Sequence, residues 1–197
     1  MTAFIYLASQ SPRRSQLLTQ LGIRHELLLP GAEEDAEALE VVLPNEAPKA
    51  YVQRVTQLKL DAALARMKQR HLPEAPVLCS DTTVALGRTI YGKPVDEQDA
   101  ARMLRALSGH THRVITGIAL GVGNKQLLAC SESRVTFASM SDQDIQAYVA
   151  SGEPLGKAGA YAVQGAAAAF IARISGSYSG IMGLPLFEAA QLLKAVS

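Results

Sequence analysis

The stretch Val77-Leu78-Cys79-Ser80-Asp81-Thr82-Thr83-Val84-Ala85-Leu86 decides the fold class. Its apolar residues predict a buried β-strand, and the polar pair Ser80-Asp81 interrupts the apolar pattern near the middle. Gly87 and Gly92 follow the strand and bracket a short hairpin. A carboxylate therefore lies in a segment that otherwise suits burial, where it must be paired, hydrogen-bonded or bound to a metal.

Helices are predicted before and after this strand in the sequence. A long amphipathic helix over residues 48–70 precedes it, and another helix begins after the capping residue Asp96 and ends at Gly109. One face of the long helix is predicted to be apolar: Val52, Val55, Leu58 and Ala62. Two later strands, 112–122 and 126–137, flank Gly123-Asn124 and are typical of an antiparallel hairpin. Strands that alternate with helices but include hairpins predict an α/β fold with a mixed sheet.

Composition excludes several classes of protein. The chain has 197 residues, 48% hydrophobic and 19% charged, which favours one globular domain over 1–197 and excludes a disordered chain. The net charge of +1 gives no global field that would attract nucleic acid or an anionic membrane. Cys79 and Cys130 have no metal-binding or disulfide spacing. Neither a signal peptide nor a membrane span is predicted, so we expect a soluble, cytoplasmic protein.

The segment 9–14, Ser-Gln-Ser-Pro-Arg-Arg, leads from a predicted strand into a helix. Ser11 is the expected N-cap and Pro12 the first helical residue. The N–H groups and the positive dipole end of such a helix favour an anion, and arginine side chains match phosphate oxygens. Acids usually occupy the first turn, so Arg13 and Arg14 indicate a function there. The alternative is a solvated basic helix start.

Three charged residues complete a predicted phosphate site. Asp81 suits a general base or a ligand of a hard cation, or else it is a turn aspartate that ends the strand. Lys59 lies on the apolar side of the long helix, an arc that it shares with Arg66. Lys93 follows Gly92 after the hairpin. Two lysines and an arginine that converge on Asp81 would form a triphosphate clamp.

A glycine-rich segment, 156–165, offers close backbone approach to a ligand at Gly156, Gly159 and Gly165. The Gln164 amide carries a donor and an acceptor, which suits the edge of a nucleobase. The alternative is a plain glycine-rich connection. The segment is not a Walker A loop, since it is one residue short and lacks the Ser or Thr that binds magnesium.

Taken in order, these segments resemble the Maf family of nucleotide pyrophosphatases. The resemblance runs through the following stretches: 7–14, Glu33-Glu34, Lys59, Ser80-Asp81-Thr82, Gly92-Lys93-Pro94, 157–161, Gln164-Gly165 and Gly183-Leu184-Pro185. It implies a two-lobed α/β fold of the inosine triphosphatase type, with a mixed sheet, flanking helices and a nucleotide cleft. It also implies a homodimer and hydrolysis of a nucleoside triphosphate to the monophosphate and pyrophosphate, with Mg²⁺ or Mn²⁺.

The resemblance assigns catalytic roles to particular residues. Asp81 would orient and deprotonate the attacking water, and Glu34 (or Glu33) would help Asp81 to hold the metal. Lys59 and Lys93 would neutralise the triphosphate and the leaving pyrophosphate.

Substrate contacts are expected at six positions: Ser9, Ser11, Arg13, Arg14, Thr82 and Gln164. Arg13 suits a phosphate, although the family treats its position as a determinant of specificity. Arg13, Thr82 and Gln164 together are similar to the branch that acts on dTTP and UTP; the branch that acts on 7-methyl-GTP carries Trp, Gln and Glu there. Two other functions stay open: a house-cleaning pyrophosphatase for modified nucleotides, and a nucleotide-binding regulator of cell division without turnover.

Overall fold

A mixed β-sheet with flanking helices organises the protein in a computed structural model that describes residues 4–35 and 38–196. In the described chain, the strands are β1 (Ile5–Leu7), β2 (His25–Leu27), β3 (Val77–Leu86), β4 (Thr89–Tyr91), β5 (Thr111–Val122), β6 (Lys125–Phe137) and β7 (Ile171–Ser175). The α-helices are α1 (Pro12–Gln20), α2 (Pro48–Gln69), α3 (Glu97–Leu107), α4 (Asp142–Ala150), α5 (Tyr178–Met182) and α6 (Leu186–Lys194). Short 3₁₀ turns lie at Ala38–Glu40, Ala158–Ala160 and Ala166–Phe170.

The sheet contains both parallel and antiparallel pairs. Its strand order is β2-β1-β3-β5-β6-β7, with β4 paired to β3 off this path. β1 runs parallel to β2 and to β3, whereas β4 on β3 and β7 on β6 are antiparallel. The predicted α/β class with a mixed sheet is therefore confirmed, and so is the strand over 77–86. None of the helices in the described chain is long and apolar enough to cross a membrane.

The chain divides into two compact units. The first comprises the residues up to Asp81, Thr116–Ser131 and the residues from Gly183 onward; the second comprises Thr82–Ile115 and Glu132–Met182. Strands β3, β5 and β6 each contribute residues to both units.

The core of the first unit forms where α2 covers the sheet. Leu60 and Ala63 of α2 are fully buried in a cluster that includes Cys79 of β3 and Ala119 of β5. The predicted apolar face of this helix was wrong at Leu58, which is 36% exposed. Leu58 lies six residues after Val52, and at about 100° per residue it points away from the face that Val52 begins.

The core of the second unit packs α3 and α4 against β5 and β6, with Leu104, Phe137 and Ile145 among its buried members. Helix α3 begins after its predicted cap, and the sequence Ser-Asp-Gln-Asp at 141–144 is typical of a capping box at the start of α4. The side chain of Asp96 accepts a hydrogen bond from the Asp99 N–H, and Ser141 with Asp144 forms a reciprocal capping box.

Gly117 of β5 allows α2 to lie directly against the sheet. A Cβ atom at this position would lie 2.4 Å from Thr56 Oγ1 and 3.2 Å from the Val52 carbonyl oxygen. The Gly117 carbonyl also accepts a hydrogen bond from Ser80 Oγ at 3.0 Å. This close approach sets the distance between α2 and the strand that carries Asp81.

We expect Gly117→Ala to lower the free energy of unfolding by about 1–3 kcal/mol, because the methyl group overpacks the interface between α2 and the sheet. Urea unfolding measures the change. Gly92→Ala is the matched control, since nothing lies within 4 Å of a Cβ atom there. Equal stability of the two variants would show that Gly117 does not set this packing.

Candidate active site

Lys59 joins two carboxylates. Its Nζ donates to Asp81 Oδ1 at 2.6 Å and to Glu40 Oε1 at 2.7 Å. The side chain of Asp81 is 8% exposed, that of Lys59 18% and that of Glu40 25%. Charges this well covered from water interact strongly, and each would be costly to leave unpaired. Asp81 is therefore a paired, buried carboxylate on β3, and Lys59 is confirmed on the covered side of α2.

The described residues of the acidic segment, 31–35 and 38–46, are held against α2 by ion pairs and hydrogen bonds. Arg66, only 6% exposed, donates to both carboxylate oxygens of Glu34 and to the Leu28 carbonyl. Because Lys59 and Arg66 are seven residues apart, they lie on one face of the helix two turns from each other. Each therefore takes a carboxylate from the same segment, Glu40 and Glu34 respectively.

Further contacts complete this fastening. Arg54 binds the Glu46 carboxylate through Nε at 2.7 Å and the Val41 carbonyl through Nη2 at 2.8 Å. Tyr51 donates its hydroxyl to the Glu40 carbonyl at 2.9 Å. Glu40 is thus held through its backbone as well as its carboxylate. Glu37, another acid of this segment, lies outside the described residues.

The N-terminus of α1 has the features of an anion site. Ser11 is the N-cap residue, as predicted, but its side chain makes no capping hydrogen bond. Its Oγ is buried and has no partner among the residues that the structure describes. The first turn contains no acid, so the positive end of the helix dipole is not neutralised there. A buried hydroxyl without a partner at such a position suits an anion that brings its own acceptors.

Arg14 lies in the first turn of α1, and hydrogen bonds hold its side chain in place. Its Nε donates to the Gly183 carbonyl at 2.8 Å and its Nη1 to Ser9 Oγ at 3.1 Å. Ser80 Oγ donates to the same Gly183 carbonyl at 2.8 Å. Burial lowers the pKa of Arg14, whereas the charge of Asp81 raises it. The Gly183 carbonyl therefore links Arg14 to the strand that carries Asp81.

Burial shifts the pKa values of Arg13 and Cys79 in opposite directions. Burial lowers the pKa of Arg13, but a guanidinium stays charged at neutral pH. Burial raises the pKa of the Cys79 thiol to about 12, which outweighs the opposite effects of Lys59 and Arg14. Cys79 is therefore a protonated core residue and not a nucleophile.

Thr82, Lys93 and Gln164 all belong to the second unit. Thr82 follows Asp81 on β3, and Lys93 and Gln164 are exposed. The Gly159 N–H donates to the Gly92 carbonyl at 3.0 Å, which joins the stretch that contains Lys93 to the glycine-rich segment. Gly159 has a φ of +69°, and a Cβ atom there would lie 2.8 Å from Val84. Both the backbone conformation and the space therefore require glycine at 159.

The glycine-rich segment is built around Glu153. Its Oε1 accepts from the Tyr148 hydroxyl at 2.8 Å, and its Oε2 accepts from the Ala166 N–H at 3.1 Å. The Lys157 ammonium donates to the Glu153 carbonyl. Glu153 is thus a structural centre of the segment that carries Gln164.

The structure brings together only some of the residues expected at the site. Asp81 and Lys59 meet directly, and Ser9 contacts Arg14. Glu34 instead pairs with Arg66, and Glu33 is exposed. Sequence reasoning missed Glu40 and Glu153, and only the acidic composition of residues 33–46 hinted at the first of them.

Oxygen donors for a hard cation lie on either side of Lys59. Among residues 4–35 and 38–196, no group of three or more His, Cys, Asp or Glu side chains is placed to hold a metal ion. Asp81 and Glu40 are two carboxylates that share one ammonium. Mg²⁺ commonly binds through one or two carboxylates, with substrate phosphates and water as its other ligands. The residues present therefore fit a cation that is bound together with a triphosphate.

Fold and site define an α/β protein with a buried carboxylate–ammonium cluster and a helix N-terminus suited to anions. The family model described as Maf-like protein matches residues 4–196. The chain therefore belongs to the Maf-like family, and the resemblance seen in the sequence is confirmed.

Three relatives match nearly the whole chain, and each is named dTTP/UTP pyrophosphatase. The protein of Albidiferax ferrireducens is 73% identical over 195 residues, which cover 99% of this chain and 98% of that protein. The protein of a Polaromonas species is 64% identical, covering 98% and 95%. The protein of Cupriavidus metallidurans is 62% identical, covering 98% and 97%.

The pair formed by Glu34 and Arg66 makes stability depend on pH. Hydrogen bonds from Arg66, and then from the Gly31 N–H, lower the pKa of Glu34 from 4.5 to about 2. A lowered folded-state pKa stabilises the fold fully above pH 4.5, and this contribution is lost as the pH falls toward 2. We expect Glu34→Gln to flatten the loss of stability over that range, measured by urea unfolding at several pH values.

Glu33→Gln is the control, because Glu33 is the exposed neighbour. A pH dependence in Glu34→Gln as steep as in the unmodified protein would contradict the pairing.

Proposed function

We propose that this protein hydrolyses dTTP and UTP to the monophosphate and pyrophosphate by attack of water at the α-phosphorus. The observation that carries the proposal is the Lys59 ammonium between Asp81 and Glu40, at 2.6 and 2.7 Å. Relatives that are 62–73% identical over nearly the full chain are named dTTP/UTP pyrophosphatase, which supports the same reaction.

Asp81 is the general base of this proposal. Its carboxylate is fixed by the Lys59 ammonium, so it can hold a water molecule in one orientation and accept its proton. General base catalysis of this kind contributes about 10²–10⁴-fold to a rate.

Positive charge for the triphosphate comes from the residues around Asp81. Lys59 offsets one of the two negative charges of Asp81 and Glu40 in the free protein. A divalent cation on these carboxylates would leave the Lys59 ammonium to bind a phosphate oxygen. Arg13, Arg14 and the buried Ser11 hydroxyl at the start of α1 supply further donors. The sequence resemblance adds Lys93 to this set. Such preorganised charges stabilise the leaving pyrophosphate.

A divalent cation, Mg²⁺ or Mn²⁺, belongs to the proposal. Asp81 and Glu40 are the residues that would hold it, and the sequence resemblance adds Glu33 or Glu34. When bound, the cation supplies Lewis acid stabilisation of the charge that develops on the phosphate oxygens.

Specificity for thymine and uracil is proposed to come from Thr82 and Gln164. A site with polar groups aimed at one base penalises a base that leaves those groups unpaired.

A homodimer and a cytoplasmic location, where nucleoside triphosphates are made and used, are part of the same proposal. Sedimentation equilibrium tests the homodimer.

We expect Asp81→Asn to reduce pyrophosphate release from dTTP at least about 100-fold, because the amide cannot accept the proton of water. Circular dichroism and a pyrophosphate assay test fold and activity together. Asp142→Asn is the matched control: its carboxylate is 78% exposed and pairs with Arg105. A folded Asp81→Asn protein with near-normal turnover would refute the assignment.

The substrate is tested by assaying pyrophosphate and orthophosphate release from dTTP, UTP, dCTP and 7-methyl-GTP with Mg²⁺ or Mn²⁺. We expect pyrophosphate from dTTP and UTP, and its loss in EDTA. Faster hydrolysis of modified nucleotides would favour a house-cleaning enzyme, and tight binding without turnover would favour a regulator.

A further inference from the structure

Glu153 fixes the backbone next to Gln164. Its carboxylate accepts the Ala166 N–H on one oxygen and the Tyr148 hydroxyl on the other, so it ties the 164–166 backbone to helix α4. Ala162 also donates its N–H toward the same hydroxyl at 3.4 Å. The chain is therefore anchored on both sides of Gln164, while the Gln164 side chain itself is exposed.

Gly165 is required by the closeness of Glu153. A Cβ atom at Gly165 would lie 2.1 Å from Glu153 Oε1 and 2.6 Å from Oε2. The φ of Gly165 is −102°, which any residue can adopt, so its backbone conformation does not demand glycine. The Gln164-Gly165 pair of the sequence is thus explained by a carboxylate that lies directly over the backbone.

The charge of Glu153 strengthens this anchor. Burial raises the pKa of Glu153, but the hydrogen bonds from Ala166, Tyr148 and Ala167 and the charge of Lys157 outweigh burial and leave it below its ordinary value. The carboxylate is therefore ionised at neutral pH, and hydrogen bonds to an ionised acceptor are about twice as strong as neutral ones.

Fixing Gln164 has a chemical consequence for base recognition. Thymine and uracil present an acceptor where cytosine presents an amino donor. A glutamine amide can offer its donor or its acceptor by rotating about its terminal bond, so a loosely held glutamine would accept either kind of base. Discrimination depends on holding the backbone that positions the amide.

We propose that Glu153 is the positioning residue for Gln164 and thereby sets discrimination between uracil or thymine and cytosine nucleotides. The proposal rests on the proposed function and deepens it, because it identifies what holds the base-reading side chain. Glu153 touches no substrate in this role; it acts through Gly165 and Ala166.

The test is a double-mutant cycle between Glu153→Gln and Gln164→Ala. Glu153→Gln keeps one acceptor oxygen of the side chain and replaces the other by an amide NH₂ group, which donates but does not accept hydrogen bonds. We expect it to lower the ratio of kcat/KM for dTTP over dCTP about tenfold, mainly through KM for dTTP, with kcat changed less than about threefold. In the Gln164→Ala background, Glu153→Gln should change that ratio no further.

A merely structural role predicts a different result, because partial unfolding lowers kcat for both substrates in both backgrounds and leaves the ratio unchanged. Either an unchanged ratio or an equal fall with and without Gln164 would overturn the proposal. Glu132→Gln is the matched control, since Glu132 is exposed and its carboxylate lies 3.9 Å from the Arg113 guanidinium. If Glu153→Gln fails to fold, Tyr148→Phe removes one anchor only and should lower the ratio in the same direction, by less.

Failure of the proposed function can be distinguished from failure of the positioning role of Glu153. Wild-type protein that releases no pyrophosphate from dTTP refutes that function. The cycle is then read from the Kd values of non-hydrolysable α,β-methylene analogues of dTTP and dCTP, with the same expected ratios. Equal affinity of the wild-type protein for the two analogues would also overturn the positioning role.

Discussion

One half-buried ammonium, that of Lys59, holds the site together. Helix α2 brings it to a strand that would otherwise place the Asp81 carboxylate among apolar neighbours, and the acidic segment brings Glu40 to its other side. Removing one member of a buried pair strands the charge of the other, so the three residues constrain one another's positions. The fold has to deliver all three, and much of the first unit does so: Gly117 sets the distance of α2 from the sheet, and Arg14 is linked to the same strand through Gly183.

The same logic explains two features outside the cluster. The carboxylates of the acidic segment take basic partners in reverse order along α2, Glu34 with Arg66, Glu40 with Lys59 and Glu46 with Arg54. In the second unit, Glu153 collects backbone and hydroxyl donors and requires a glycine beneath it. In both units a carboxylate is used to fix a segment that has little regular structure of its own.

How far the sequence predicts this arrangement depends on the range of the interactions involved. Strand β3, the caps at Asp96 and Ser141 and the position of Lys59 on α2 follow from local periodicity and capping, which a single sequence displays. Glu40 could not be chosen among six neighbouring acids, because its register against α2 depends on tertiary contacts. Glu153 gave no signal, since its partners are mostly backbone groups. Leu58 was placed on the wrong face because apolar spacing alone left the exact arc of the helix open.

The most direct test of this account is hydrolysis of UTP in H₂¹⁸O, with mass spectrometry of both products. If Asp81 directs water at the α-phosphorus, the label will appear in UMP and the pyrophosphate will be unlabelled. Label in the pyrophosphate would place the attack at the β-phosphorus, and release of labelled orthophosphate would place it at the γ-phosphorus. Either result would contradict the role given to the cluster of Asp81, Lys59 and Glu40.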